Sequence, residues 1–186
     1  MSSRRPSRRI CAALCAALCL ASGAADAKIF YSRSEALKLA FPDADRIEDQ
    51  SILLDDEQAG RIEELAKSKL ESRLVRISRG YRGSELLGYA VIDVNTVRTM
   101  PEAFLVVLSP GGEVQMLRLL AFHEPPEYMP PARWYEQFEH KTIEAPLRLG
   151  GDIHGIVGAT LSSRATTEGV RRALALYQVV LSHPKY

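Results

Sequence analysis

Ala103-Phe104-Leu105-Val106-Val107-Leu108-Ser109-Pro110-Gly111-Gly112-Glu113-Val114-Gln115-Met116-Leu117-Arg118-Leu119-Leu120-Ala121-Phe122 is the stretch that decides the fold. Two β-rich runs, Ala103 to Leu108 and Glu113 to Phe122, flank a Ser-Pro-Gly-Gly turn signal, so the pair reads as a hairpin. Upstream, Leu86 to Val94 is a third β-rich run, and Arg73 to Ser78 alternates charged with apolar residues as a half-exposed strand does. Arg46 to Leu54 adds a further strand. Helical signals surround this centre. Ser34 is placed to cap a short helix that ends at Ala40, before Pro42. Asp55 caps a second helix through Leu70, with Asp56 and Glu57 in the first turn, where the helix dipole favours negative charge. Its apolar positions Ile62, Leu65 and Ala66 follow helical spacing, and Leu70 extends the stripe. Four prolines, at 125, 126, 130 and 131, enforce an irregular segment. Helices are predicted from Ala132 to Phe138 and from Ser162 to Leu181. The sum is an α+β domain, an antiparallel sheet with helices packed on one side.

The chain has 186 residues, enough for one globular domain with extensions. It is 46% hydrophobic and 25% charged, which predicts a buried core and excludes general disorder. The 24 Lys and Arg against 23 Asp and Glu leave a formal charge of +1, without the basic excess of a nucleic-acid binder. No nucleic-acid partner is expected. Residues 1–27 have the form of a secretory signal peptide: Arg4, Arg5, Arg8 and Arg9, an apolar run from Ile10 to Ala21, and Ala25-Asp26-Ala27 before Lys28. That apolar run falls short of the roughly 20 residues a spanning helix needs. All three cysteines, Cys11, Cys15 and Cys19, lie inside this segment, and each follows Ile or Leu rather than the small residue a lipidation site needs. The mature chain is therefore expected to be soluble, exported and periplasmic, without disulfides or thiolate sites. The division that follows is a signal peptide at 1–27, an N-terminal helix-and-strand region at 28–84 and the functional domain at 85–186.

The chemistry concentrates in Gly150-Gly151-Asp152-Ile153-His154-Gly155-Ile156-Val157-Gly158-Ala159-Thr160-Leu161-Ser162-Ser163-Arg164-Ala165-Thr166. It is a glycine-rich loop that runs into a helix. Gly158 and Ala159 are small enough for a ligand to approach the backbone. Thr160, Ser162 and Ser163 gather hydroxyls at the helix start, where free N–H groups and the dipole attract an anion such as phosphate. The plainer account is that Ser162 or Ser163 caps the helix. Local chemistry alone favours the plainer account.

Gly158-Ala159-Thr160-Leu161-Ser162-Ser163, followed by Ala165 and a helix, resembles the signature of the FMN-binding domain family. That family includes flavin-carrying subunits of the Rnf and sodium-pumping NADH:quinone reductase complexes and many small exported proteins. Gly88-Tyr89-Ala90-Val91, the strands around Pro110-Gly111-Gly112, Glu124, Trp134 with Phe138, and Pro146-Leu147-Arg148-Leu149 follow in a family-like order, covering about residues 85–181. The resemblance implies FMN as cofactor, joined through its phosphate to Thr160 by a flavin transferase, and a membrane or periplasmic redox partner. It implies an electron carrier rather than an enzyme with its own substrate. Gly158, Ala159, Leu161, Ser162, Ser163, His154, Glu124 and Tyr128 are the remaining cofactor-site candidates, with Tyr89 and Trp134 as further candidates for an apolar shelf and Arg164 for a phosphate contact. Where the family places Asp six residues before the acceptor and Ser or Thr three before it, this chain has His154 and Val157. Asp152 lies two residues earlier.

Other classes fit less well. No G-x-S-x-G elbow surrounds Ser162 or Ser163, which weighs against a serine hydrolase. The histidines His123, His140, His154 and His183 are scattered, and no H-E-x-x-H occurs. The remaining alternative is a binding module with the same fold that holds flavin non-covalently or not at all.

Overall fold

The computed structural model describes residues 28–182. The signal-like segment, its three cysteines and His183 lie outside them. Six strands form one antiparallel sheet: β1 (Lys28–Ile29), β2 (Arg46–Leu53), β3 (Leu74–Arg82), β4 (Glu85–Val97), β5 (Met100–Leu108) and β6 (Val114–Phe122). Their spatial order is β1-β6-β5-β4-β3-β2, so β2 through β6 are a meander and β1 adds itself to the far edge beside β6. The predicted hairpin is β5 and β6, with Ser109 N–H bonded to Glu113 O and Gly112 N–H to Ser109 O across the turn. β3 and β4 run longer than predicted because they pair with each other across a tight turn at Gly83, whose N–H is held by Asp45 Oδ2. Strands from both sides of residue 84 thus belong to one sheet.

Among the described residues, three α-helices accompany the sheet: α1 (Arg33–Ala40), α2 (Asp56–Ala66) and α3 (Thr160–Leu176), the last continuing into one π-helical turn at Tyr177–Leu181. α1 is capped by Ser32 rather than Ser34. The Ser32 hydroxyl accepts from Glu35 N–H and the Glu35 carboxylate accepts from Ser32 N–H, a reciprocal pair that satisfies two end donors. Asp55 caps α2 as predicted, through the same reciprocal arrangement with Gln58. α2 stops at Ala66, short of Leu70, because Lys67 turns left-handed at φ 53° and Glu63 then accepts from Leu70 N–H and Lys69 Nζ. Ala132–Phe138 is a 3-10 helix, and a shorter one spans Pro126–Tyr128.

Alternation along the strands divides the core in two. Tyr89, Val91, Phe104, Val106, Leu108 and Leu117 face α2, α3 and the longer 3-10 helix. Ala90, Leu105, Val107 and Leu120 face the other way and meet Ala36 and Phe41. The long helices therefore lie on one side as predicted, and only short α1 covers part of the reverse face. At the open edge, β2 is almost wholly exposed and carries ion pairs, Arg33 with Asp49 and Arg46 with Glu48.

α3 sits unusually close to β4. A Cβ on Gly169 would fall 2.5 Å from Asp93 Oδ2, so only glycine allows this approach. One turn on, buried Arg172 donates to both oxygens of Asp93, at 2.6 and 3.3 Å, and also to Asn95 Oδ1 and Ser68 Oγ. This network locks α3 against the sheet and fixes where its N-terminus points.

Candidate functional site

The Gly150–Gly158 loop is held by its own backbone and by the longer 3-10 helix. Gly150 N–H bonds Ile153 O, and Gly151 and Ile153 N–H both bond Arg148 O. Trp134 Nε1 donates to His154 O at 2.6 Å, and His154 N–H donates to Gln137 Oε1 at 2.8 Å. Asp152 accepts from Leu147 and Arg148 N–H and pairs with Lys141. Burial pushes its carboxyl up, but the Arg148 amide, Lys141 and the Leu147 amide outweigh it and hold the group below its ordinary range. Asp152 is thus committed to shaping the loop.

α3 then starts without a side-chain cap. Its N-cap residue is Ala159, at φ −109° and ψ 27°, and no side chain bonds the first turn. The expectation that Ser162 or Ser163 caps this helix is corrected: both lie inside the first turn and are buried. Ser163 Oγ has no hydrogen-bond partner at all. The hydroxyls of Thr166 and Thr167 instead fold back onto the carbonyls of Ser162 and Ser163. The opening turn keeps free N–H groups and the positive end of the dipole facing outward.

Thr160, the first residue of α3, is exposed, and its hydroxyl makes one long contact of 3.4 Å to Ile156 O. Beside it lies a small cleft walled by Gly158, Ala159, Leu161 and Ser162 on one side and Glu124, Tyr128 and Arg98 on the other. Gly158 has φ 89° and nothing within 4 Å of where a Cβ would stand, so this backbone is open to a ligand. The Arg98 guanidinium lies 4.4 Å over the Tyr128 ring, bringing a cation to the rim. Seven of the nine predicted cofactor-site residues line the cleft or begin the helix beside it: Gly158, Ala159, Thr160, Leu161, Ser162, Glu124 and Tyr128. Ser163 is buried just beneath. His154 is exposed, does not line the cleft, and is held through its backbone.

The shelf candidates separate cleanly. Tyr128 and Leu161 reach the cleft, whereas Tyr89 packs edge-on to Tyr177 and Trp134 packs against Tyr135 and Phe138 in the core. Arg164 is an exposed charge on α3. Sequence reasoning missed Arg98, whose signal is only a turn position between two strands. It also missed Glu102, which is 1% exposed with neither carboxylate oxygen hydrogen-bonded. A signal for Glu102 was present: it shares the two-residue parity of Phe104, Val106 and Leu108, and so must face the core.

Burial, then the charges of Glu124 and Asp93, push the Glu102 carboxyl up to about 8. Tyr135, whose hydroxyl is also buried without a partner, is pushed upward by burial and by Glu102. Among the described residues, no group of three or more His, Cys, Asp or Glu is arranged to hold a metal ion. No described helix is long and apolar enough to cross a membrane.

Fold and site together define an antiparallel α+β domain that offers an uncapped helix start, beside a cleft, to an anionic ligand. Residues 101–175 match the FMN-binding domain family, the family whose signature Gly158–Ala165 resembles. The crystal structure of Shewanella oneidensis NqrC is similar to the chain with a TM-score of 0.45 and 12% identity, covering 81% of this chain and 71% of that one. No curated protein matches. FMN is the cofactor of this domain. The site fits it: open N–H groups and Arg98 suit a phosphate, the bare Gly158 backbone admits it, and Glu124 leaves one buried oxygen unpaired at the cleft.

Proposed function

We propose that the chain is an exported electron-transfer flavoprotein whose FMN is joined by a phosphoester bond to Thr160 Oγ1. The observation that carries this reading is the uncapped start of α3, which presents an exposed threonine hydroxyl where a helix terminus favours phosphate. The first-turn amides would hold the phosphate oxygens, and Arg98 would add a positive charge at the rim. Tyr128 and Leu161 supply apolar contact for a planar ring system, and Gly158 keeps its approach free. FMN supplies the redox chemistry when bound, and the protein sets its orientation, access and potential. A flavin transferase would make the link, and a membrane or periplasmic redox partner would exchange electrons with the cofactor. Export rests on the basic, apolar and Ala25-Asp26-Ala27 features of the first 27 residues.

Intact mass after denaturation and desalting tests the linkage, on protein co-expressed with an active flavin transferase. The expected result is a gain of one FMN less water, located on the peptide containing Thr160 and absent from Thr160→Ala. A second reading, non-covalent FMN, is favoured by Val157 and His154 at the two signature departures, since neither side chain lines the cleft. It predicts flavin that leaves on denaturation from wild type and Thr160→Ala alike.

A further inference from the structure

Among the described residues, four side chains bury polar atoms without partners: Glu102, Glu124, Tyr135 and Ser163. Buried polar groups are nearly always paired, and an unpaired carboxylate is the costliest exception. Glu102 lies in β5 opposite Asn95 of β4 and Phe122 of β6, on the sheet face covered by α3. Glu124 follows two residues after Phe122, is 7% exposed, and turns toward the cleft. One carboxyl is therefore sealed inside and its neighbour opens on the ligand.

We propose that Glu102 and Glu124 are a proton-holding pair of the flavin site, binding their proton more tightly when the flavin in the cleft carries an added electron. The inference rests on the flavin reading above. Its surroundings leave Glu102 no other way to be neutral. β4 contributes Asp93 and Asn95, and α3 contributes Arg172, whose guanidinium is already committed to Asp93, Asn95 and Ser68. The longer 3-10 helix contributes Tyr135, an un-ionised phenol. Arg98 stands at the cleft rim beside Glu124 but makes no bond to it. A proton is the remaining counter-charge for Glu102.

The balance is simple. In the oxidised protein above about pH 8, the value to which its carboxyl is raised, Glu102 is ionised. An external reductant then places one electron on the flavin, and one proton passes from solvent to the pair. Reoxidation returns both. No covalent bond of the protein changes.

Two readouts test this separately from the flavin reading. Infrared spectroscopy of the full-length apoprotein should show a protonated carboxyl band at pH 7 that is lost near pH 8. The band should be missing from Glu102→Gln and should titrate at lower pH in Glu124→Gln, which removes a neighbouring negative charge. Absence of the band from wild type, or no movement in Glu124→Gln, overturns the pair. On flavin-loaded protein, the midpoint potential should fall more steeply above pH 8 in wild type than in Glu102→Gln. Identical profiles overturn the coupling. A chain that takes up no flavin absorbance sinks the flavin reading and the coupling with it, while the infrared band still decides whether the pair exists.

Discussion

The helices of this protein start in two different ways. α1 and α2 each open on a reciprocal cap, Ser32 with Glu35 and Asp55 with Gln58, that satisfies the end N–H groups within the chain. α3 opens on Ala159 with no cap, although three hydroxyl residues stand in its first turn. The same contrast divides the carboxylates on the inner sheet face. Asp93 is matched by Arg172, whereas Glu102, opposite Asn95 on the neighbouring strand, is matched by nothing. One region is arranged to close its polar groups, and the other leaves them unpaired. Unpaired buried groups of this kind lower stability, and they are uncommon in native proteins.

The largest test of the contrast is Arg172→Met. It leaves Asp93, half-buried beside the sheet, with Asn95 as its partner and no counter-charge, and should cost about 3 kcal/mol, read by denaturant unfolding. A loss below about 1 kcal/mol would mean that the α3 anchor lies elsewhere.

Glu102 should behave in the opposite sense, because its folded carboxyl is raised to about 8 from 4.5. The fold then holds a proton that the unfolded chain gives up, so stability is highest below about pH 4.5 and falls as pH rises to about 8. The slope is at most about 1.4 kcal/mol per pH unit. Glu102→Gln should flatten that part of the curve, measured by thermal melts of the apoprotein across pH 4 to 9. Equal curves would show that Glu102 is solvated in the folded protein.

Capping supplies the smaller effects. Asp55→Ala should destabilise by about 1 kcal/mol, since it removes the acceptor for Gln58 N–H. Ser163→Ala should be neutral or slightly stabilising, because it deletes a buried hydroxyl that has no partner. Loss of more than about 1 kcal/mol in Ser163→Ala would show that the hydroxyl is paired after all.

The sheet was legible where chain-local chemistry decides it. Pro110-Gly111-Gly112 marks its own turn, and Asp55 sits before an acidic first turn that leaves little choice. Ser32 and Ser34 differ as caps only through Glu35, whose carboxylate reaches Ser32 N–H but cannot serve Ser34 in the same way. At α3 the hydroxyl pattern pointed to a cap three or four residues too late. Tertiary packing buries Ser162 and Ser163, and the helix extends back to Thr160 over them. The site residues from Gly158 to Ser162 were legible as a motif. Strand parity could have placed Glu102 on the core face, but neither its lack of a partner nor the place of Arg98 was legible, because each depends on the β4–β5 turn lying beside the loop after β6. β1, two residues long, carries no periodicity and is made by pairing with Phe122 and Ala121 alone.

The two edges of the sheet remain. One is β6, covered only at Ala121 and Phe122 by that two-residue strand, and the other is β2, studded with Arg46, Glu48 and Asp49. An unpaired strand is a template on which a second molecule can add itself, and shortness and charge are the two cheapest deterrents. A neighbour docking on β2 would have to strip water from those side chains, and one docking on β1 would gain only a bond or two. Charge on β2 thus works against edge-to-edge addition of a second copy there.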